Sequence, residues 1–62
     1  MYAARIYLVM DAGTPVTAFT SKHELQVYLR RRLDVFVNPL VYTFGGEGYS
    51  PTVMTMSRAL AE

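Results

Sequence analysis

Three arginines, Arg30, Arg31 and Arg32, stand side by side inside the otherwise apolar stretch YLRRRLDVF. Guanidinium groups brought together grip phosphate, or pair with carboxylates through two parallel hydrogen bonds. Whether these three act together depends on the element that carries them. Successive side chains leave a helix axis ~100° apart, so on a helix the arginines diverge instead of forming a row. Arg30 and Arg31 then project from the polar side, with Glu24 and Asp34, while Arg32 turns toward the apolar stripe. The favoured reading lays the stem of Arg32 over the core edge with its guanidinium reaching water. A helix that frays before Arg32 and a carboxylate waiting for it are the two alternatives.

The remaining groups suited to catalysis are few. The chain has one histidine, His23, no cysteine, and five carboxylates: Asp11, Glu24, Asp34, Glu47 and Glu62. Without cysteine there are no disulfides and no thiolate metal sites, and a single histidine assembles no zinc site. Glu24 is expected in a helix cap, Asp11 in a turn, and Glu62 is the last residue. No nucleophile, base and orienting group are spaced to converge, so no catalytic site, cofactor or metal is expected. The glycines Gly45, Gly46 and Gly48 lack the Lys and Ser/Thr that complete a phosphate loop, and Glu47 among them would repel an anion. A flexible turn is expected there, with Tyr49 offering a contact.

Tyr7, Tyr42 and Phe44 fall on apparent strands, where RNA-recognition sheets carry their stacking aromatics. A formal net charge of +1 leaves little to neutralise phosphates. A 62-residue chain also has few apolar residues to spare, which favours the core for these rings. The same reasoning sends Met54 and Met56 to fill gaps beneath a helix.

The elements that must position these residues are readable in outline. ARIYLVM alternates Ala4, Ile6, Leu8 and Met10 against Arg5, Tyr7 and Val9, and both sets are apolar enough for a strand in the middle of a sheet. DAGTP is a turn through Asp11, Gly13 and Pro15, and VTAFT closes a β-hairpin. Ser21 with Glu24 three residues later makes a capping box. The helix it starts aligns Leu25, Leu29 and Phe36, flanked by Tyr28 and Leu33. Asn38-Pro39 must end it, because the residue before proline is pushed out of helical geometry; an end near Leu33 also fits, since VFV suits an extended segment. PLVYTF is a third strand, with Leu40, Tyr42 and Phe44 on one face. TVMTMS reads as a fourth strand by its threonines and valine. The competing reading is a helix starting at Ser50-Pro51, and RALAE adds one helical turn at most. The expected fold is α+β, one domain over residues 1–62, in the order ββαββ, with one amphipathic helix on a small, largely antiparallel sheet.

With 52% hydrophobic residues, the composition excludes disorder. No apolar stretch approaches the ~20 residues of a membrane span. MYAARIYLVM lacks the charged leader and long apolar core of a secretory signal, so a protein of a reducing bacterial cytoplasm is expected. So small a domain commonly recruits a partner for stability, which favours a dimer or a tight complex.

The stretch IYLVMDAGTPVTAFTSKHELQVYLRR, Ile6 to Arg31, resembles the opening of many short phage-encoded proteins: strand, tight turn, second strand, capped amphipathic helix. The resemblance implies a host-takeover or anti-defence protein that disables a host protein such as RNA polymerase or a defence complex. Many such inhibitors are strongly acidic mimics of nucleic acid; this chain is not, which leaves steric blocking as the implied mechanism.

The function expected is therefore that of a non-enzymatic protein-binding module with a host protein as partner. It would act through an unpaired sheet edge or through the polar side of the helix. His23, Val27, Arg30 and Arg31 mark that helix side, and Tyr49 marks the glycine turn. The alternatives are a small RNA- or DNA-binding domain using sheet aromatics and arginines, and a self-associating structural module such as a homodimer.

Overall fold

The chain reverses first at Ala12 and Gly13, whose φ angles are both positive, at 52° and 81°. Two residues with φ > 0 make the tight turn whose twist matches that of the flanking strands. The strands it joins are β1 (Ile6–Asp11) and β2 (Thr14–Phe19). Pro15 therefore lies within β2 and not in the turn, opposite Met10 and beside a register irregularity. The computed structural model describes residues 5–45 and 51–61. Gly46, Glu47, Gly48 and Tyr49, most of the glycine turn, lie outside the described residues.

Helix α1 (Lys22–Arg31) begins where the capping box placed it. Ser21 has extended geometry, its Oγ accepts from the Glu24 N–H at 3.4 Å, and its carbonyl accepts from the Leu25 N–H at 3.0 Å. The helix stops at Arg31, before Leu33 and well before Asn38-Pro39. Arg32 is its C-cap, donating its N–H to the Leu29 carbonyl at 3.1 Å, and a further turn follows from Arg32 to Val35. Leu33, expected beside the apolar stripe, is instead 48% exposed because the helix has ended beneath it.

The chain is then gathered by one carboxylate. Asp11 Oδ1 accepts from the Val37 N–H at 2.9 Å and the Asn38 N–H at 2.7 Å, and the Ala12 N–H donates to the Asn38 carbonyl. This clamp sets the start of β3 (Pro39–Phe44) against β1, pairing Asp11 with Pro39 and every following residue in register to Ile6 with Phe44. The fourth strand, β4 (Thr52–Thr55), pairs with β3. All three pairings are antiparallel, and the strand order is β2-β1-β3-β4, so β1 does lie inside the sheet.

The strand reading of TVMT holds, and the helix that follows starts at Met56 and not at Ser50-Pro51. Strand β4 ends at Thr55, whose Oγ1 accepts from the Arg58 N–H at 3.3 Å and so caps α2 (Met56–Ala61). The fold thus carries the expected ββαββ order followed by a second short helix. Met56 opens that helix instead of ending the strand, but both it and Met54 pack against the core as expected.

Strand alternation divides the sheet into two faces. Tyr7, Val9 and Val41 face the helices and are buried with Leu25 and Leu29 of α1 and Ala59 of α2. Val9, Leu25, Leu29 and Val41 are wholly removed from water, each contributing about 1.5–3 kcal/mol by transfer. Gln26 ties the helices together, its Nε2 donating to the Ala59 carbonyl at 3.0 Å. The opposite face, with Leu8 paired to Tyr42 at its centre, is covered by neither helix.

Candidate protein-binding surface

Where α1 ends over the outer strand β2, three rings stack in sequence. Phe19 of β2 meets Tyr28 of α1 with centroids 5.2 Å apart, and Tyr28 meets Phe36 at 6.2 Å, both pairs tilted by about 50°. Tilted contacts at these distances are favourable for the ring quadrupoles. Arg32 places its guanidinium carbon 5.3 Å from the Tyr28 centroid. The helix ends just before Arg32, as one of the readings for this residue had it, and the exposed guanidinium lies over an aromatic face.

Beside these rings lies an open hollow of about 440 Å³, lined by Phe19, His23, Glu24, Val27, Tyr28, Arg31 and Arg32. Positions 23, 24, 27, 28 and 31 are related by three and four residues, so one helix face supplies most of the lining. Phe19 adds the wall from β2, and the C-cap geometry turns Arg32 across the end. His23 and Arg31 are exposed and Val27 is half-buried. The hollow thus collects three of the expected contact residues, His23, Val27 and Arg31. Arg30 is exposed but not part of the lining, and Tyr49 lies outside the described residues.

Sequence reasoning did not place Phe19, Tyr28 and Arg32 in the contact site. Phe19 and Tyr28 are half-buried and do both jobs, packing against the core and walling the hollow. A helix end near Leu33 with VFV extended is among the sequence readings, but the exposure of that loop is not. Phe36 turns inward to Tyr28, and its neighbours Val35 and Val37 are left 65% and 83% exposed. The alternation in VFV was a usable signal: one residue of three goes in and the flanking two go out.

Chemically, the hollow offers two guanidiniums, one imidazole, one carboxylate and an apolar floor. His23 and Glu24 are consecutive on the helix and leave it ~100° apart, unlike a base and its orienting carboxylate. Asp11 is engaged with two backbone N–H groups. Among the described residues, no three of His, Asp and Glu converge as a metal site would require, and no helix is long and apolar enough to cross a membrane.

The sheet aromatics divide. Tyr7 is buried, as a core residue should be, but Tyr42 and Phe44 occupy the uncovered face, with Phe44 38% exposed. The core assignment fails for these two because an antiparallel sheet with helices on one side leaves the other side bare. Arginines 30–32 belong to the helix layer, so the sheet's thickness separates them from Tyr42 and Phe44. Compared with known protein families, curated proteins and solved structures, the chain matches none.

Proposed function

We propose that the protein is a non-enzymatic binding module that occupies a surface of another protein, with the hollow at the end of α1 as its contact site. One observation carries the reading: Arg31 and Arg32 line the same hollow as the half-buried rings Phe19 and Tyr28, with Arg32 over the Tyr28 face. Aromatic residues and arginine are the types that dominate interface energetics. The occupant that fits is a protein segment carrying a carboxylate next to an aliphatic or aromatic side chain. Arg31 and Arg32 pair with the carboxylate, and Val27, Phe19 and Tyr28 receive the apolar group. The exposed Val35 and Val37, on the loop after the helix, are further apolar groups open to a partner.

Addition of a strand to a partner's sheet is the weaker route. The β2 edge carries Pro15 and a register irregularity, and β4 has four residues, all features that blunt edge pairing. Nucleic-acid binding also has less support, since the arginines and the exposed sheet aromatics lie on opposite sides. In keeping with the resemblance of Ile6–Arg31 to short phage proteins, the partner is a bacterial host protein and the action is steric inhibition. The test is affinity capture from a nuclease-treated bacterial lysate with the natural chain and with Val27→Asp. A protein retained by the first and lost by the second, with unchanged circular dichroism, supports the assignment. Capture that disappears on nuclease treatment, or is indifferent to Val27→Asp, rejects it.

A further inference from the structure

The sheet face turned away from the helices is apolar except at Thr55, the register partner of Leu40. Register places Ile6, Leu8 and Met10 of β1, Leu40, Tyr42 and Phe44 of β3, and Val53 of β4 upon it. Ala18 and Pro15 of β2 continue it. None of these residues is charged. Ile6 is 45% and Val53 49% exposed, and no described element packs across them. Such a face on a monomer is unusual, because antiparallel sheets with one bare side ordinarily alternate polar residues outward.

We infer that this face is where a second copy of the chain docks, sheet against sheet, to form a two-fold dimer. Four strands ~4.8 Å apart and about 20 Å long give a footprint of roughly 400 Å². Counted over both copies that is about 800 Å², below the ~1,200–2,000 Å² of a standard interface, so the pair is a weak one. Electrical neutrality selects the occupant. A membrane surface or nucleic acid would require basic residues on the face, and an acidic or basic protein would meet no complementary charge. An identical face is neutral and apolar to match. Because β1 and β3 are the inner strands, the Leu8–Tyr42 pair lies near the middle of the face, where a two-fold axis makes it self-complementary. The blunted edges of β2 and β4 favour closure into a pair over growth into a filament. Stacking also supplies a second layer to a molecule with six buried apolar residues. The hollows at α1 then point outward from the two sides, but the dimer does not depend on what they bind.

Sedimentation equilibrium of the full chain across micromolar to millimolar concentrations tests this. The mass should rise toward twice 7.0 kDa, with association in the micromolar range expected of a small interface. Val53→Lys, at a half-exposed edge position that tolerates substitution, should weaken association at least ~10-fold by placing an unpaired charge in the interface. A mass of 7.0 kDa at every concentration overturns the inference, as does a dimer indifferent to folded Val53→Lys. Facing sheets pack ~10 Å apart, too far for a disulfide but within reach of a short bismaleimide. The chain has no cysteine, so Leu8→Cys provides a single attachment point. It should cross-link to a dimer where Arg30→Cys, on the helix layer, does not; the reverse pattern contradicts the assignment.

Discussion

Replacing Asp11 by alanine removes the acceptor that holds the start of β3. Its Oδ1 takes the Val37 and Asn38 N–H groups at 2.9 and 2.7 Å. Hydrogen bonds to a charged group contribute about 1.5–3 kcal/mol each, but these share one oxygen and are open to solvent. Each is therefore worth less than that low end, and the pair together should be worth about 2 kcal/mol. A 62-residue domain at typical specific stability has about 3–9 kcal/mol in all, so the loss is a large fraction. It should lower Tm by roughly 8–16 °C, since ~1 kcal/mol shifts a domain of this size by about 4–8 °C. Asp11→Asn keeps a neutral acceptor and should lose about half as much. Thermal melts followed by far-UV circular dichroism measure both. An Asp11→Ala melt within about 2 °C of the natural chain would show that the clamp does not hold the β3 register. The clamp also fixes the far end of the loop containing Phe36, so partner affinity should fall along with stability.

Two further substitutions probe local geometry. Ala12 sits at φ 52° beside Gly13, a conformation that costs an ordinary L-residue about 1 kcal/mol and that asparagine accepts, so Ala12→Asn should raise Tm by roughly 4–8 °C; a decrease would refute the turn assignment. Thr43 Oγ1 is buried beside Tyr7 with no hydrogen-bond partner among the described residues, so the near-isosteric Thr43→Val should stabilise by about 1 kcal/mol in urea unfolding, whereas destabilisation would reveal a hidden partner.

Local signals were the legible ones. The alternation of ARIYLVM placed β1 inside the sheet, Ser21 and Glu24 fixed the first turn of α1, and PLVYTF marked β3. What escaped depended on contacts distant in sequence. Thr55 looks like a strand residue until its hydroxyl is seen capping α2, so the second helix was hidden by a side chain that serves both elements. Helix periodicity carried on through Leu33 and Phe36, while the backbone had already turned at Arg32. Tyr42 and Phe44 were assigned to the core by economy of apolar residues, a rule that does not say which sheet face the helices choose. The hollow was half visible. His23, Val27 and Arg31 share a helix side, but Phe19 joins them from β2 and Arg32 by leaving helical geometry.

The most direct test of binding through the hollow is isothermal titration calorimetry of the captured partner against three chains: the natural one, the pair Arg31→Glu with Arg32→Glu, and Arg30→Glu. Reversing the two lining arginines should weaken the complex by about 2 kcal/mol or more, some 30-fold in Kd. Arg30 lies outside the lining, and its reversal should change Kd by no more than about 3-fold. Equal losses from all three arginines would mean diffuse attraction by the helix layer, and undiminished affinity in the double variant would contradict the hollow as the contact site.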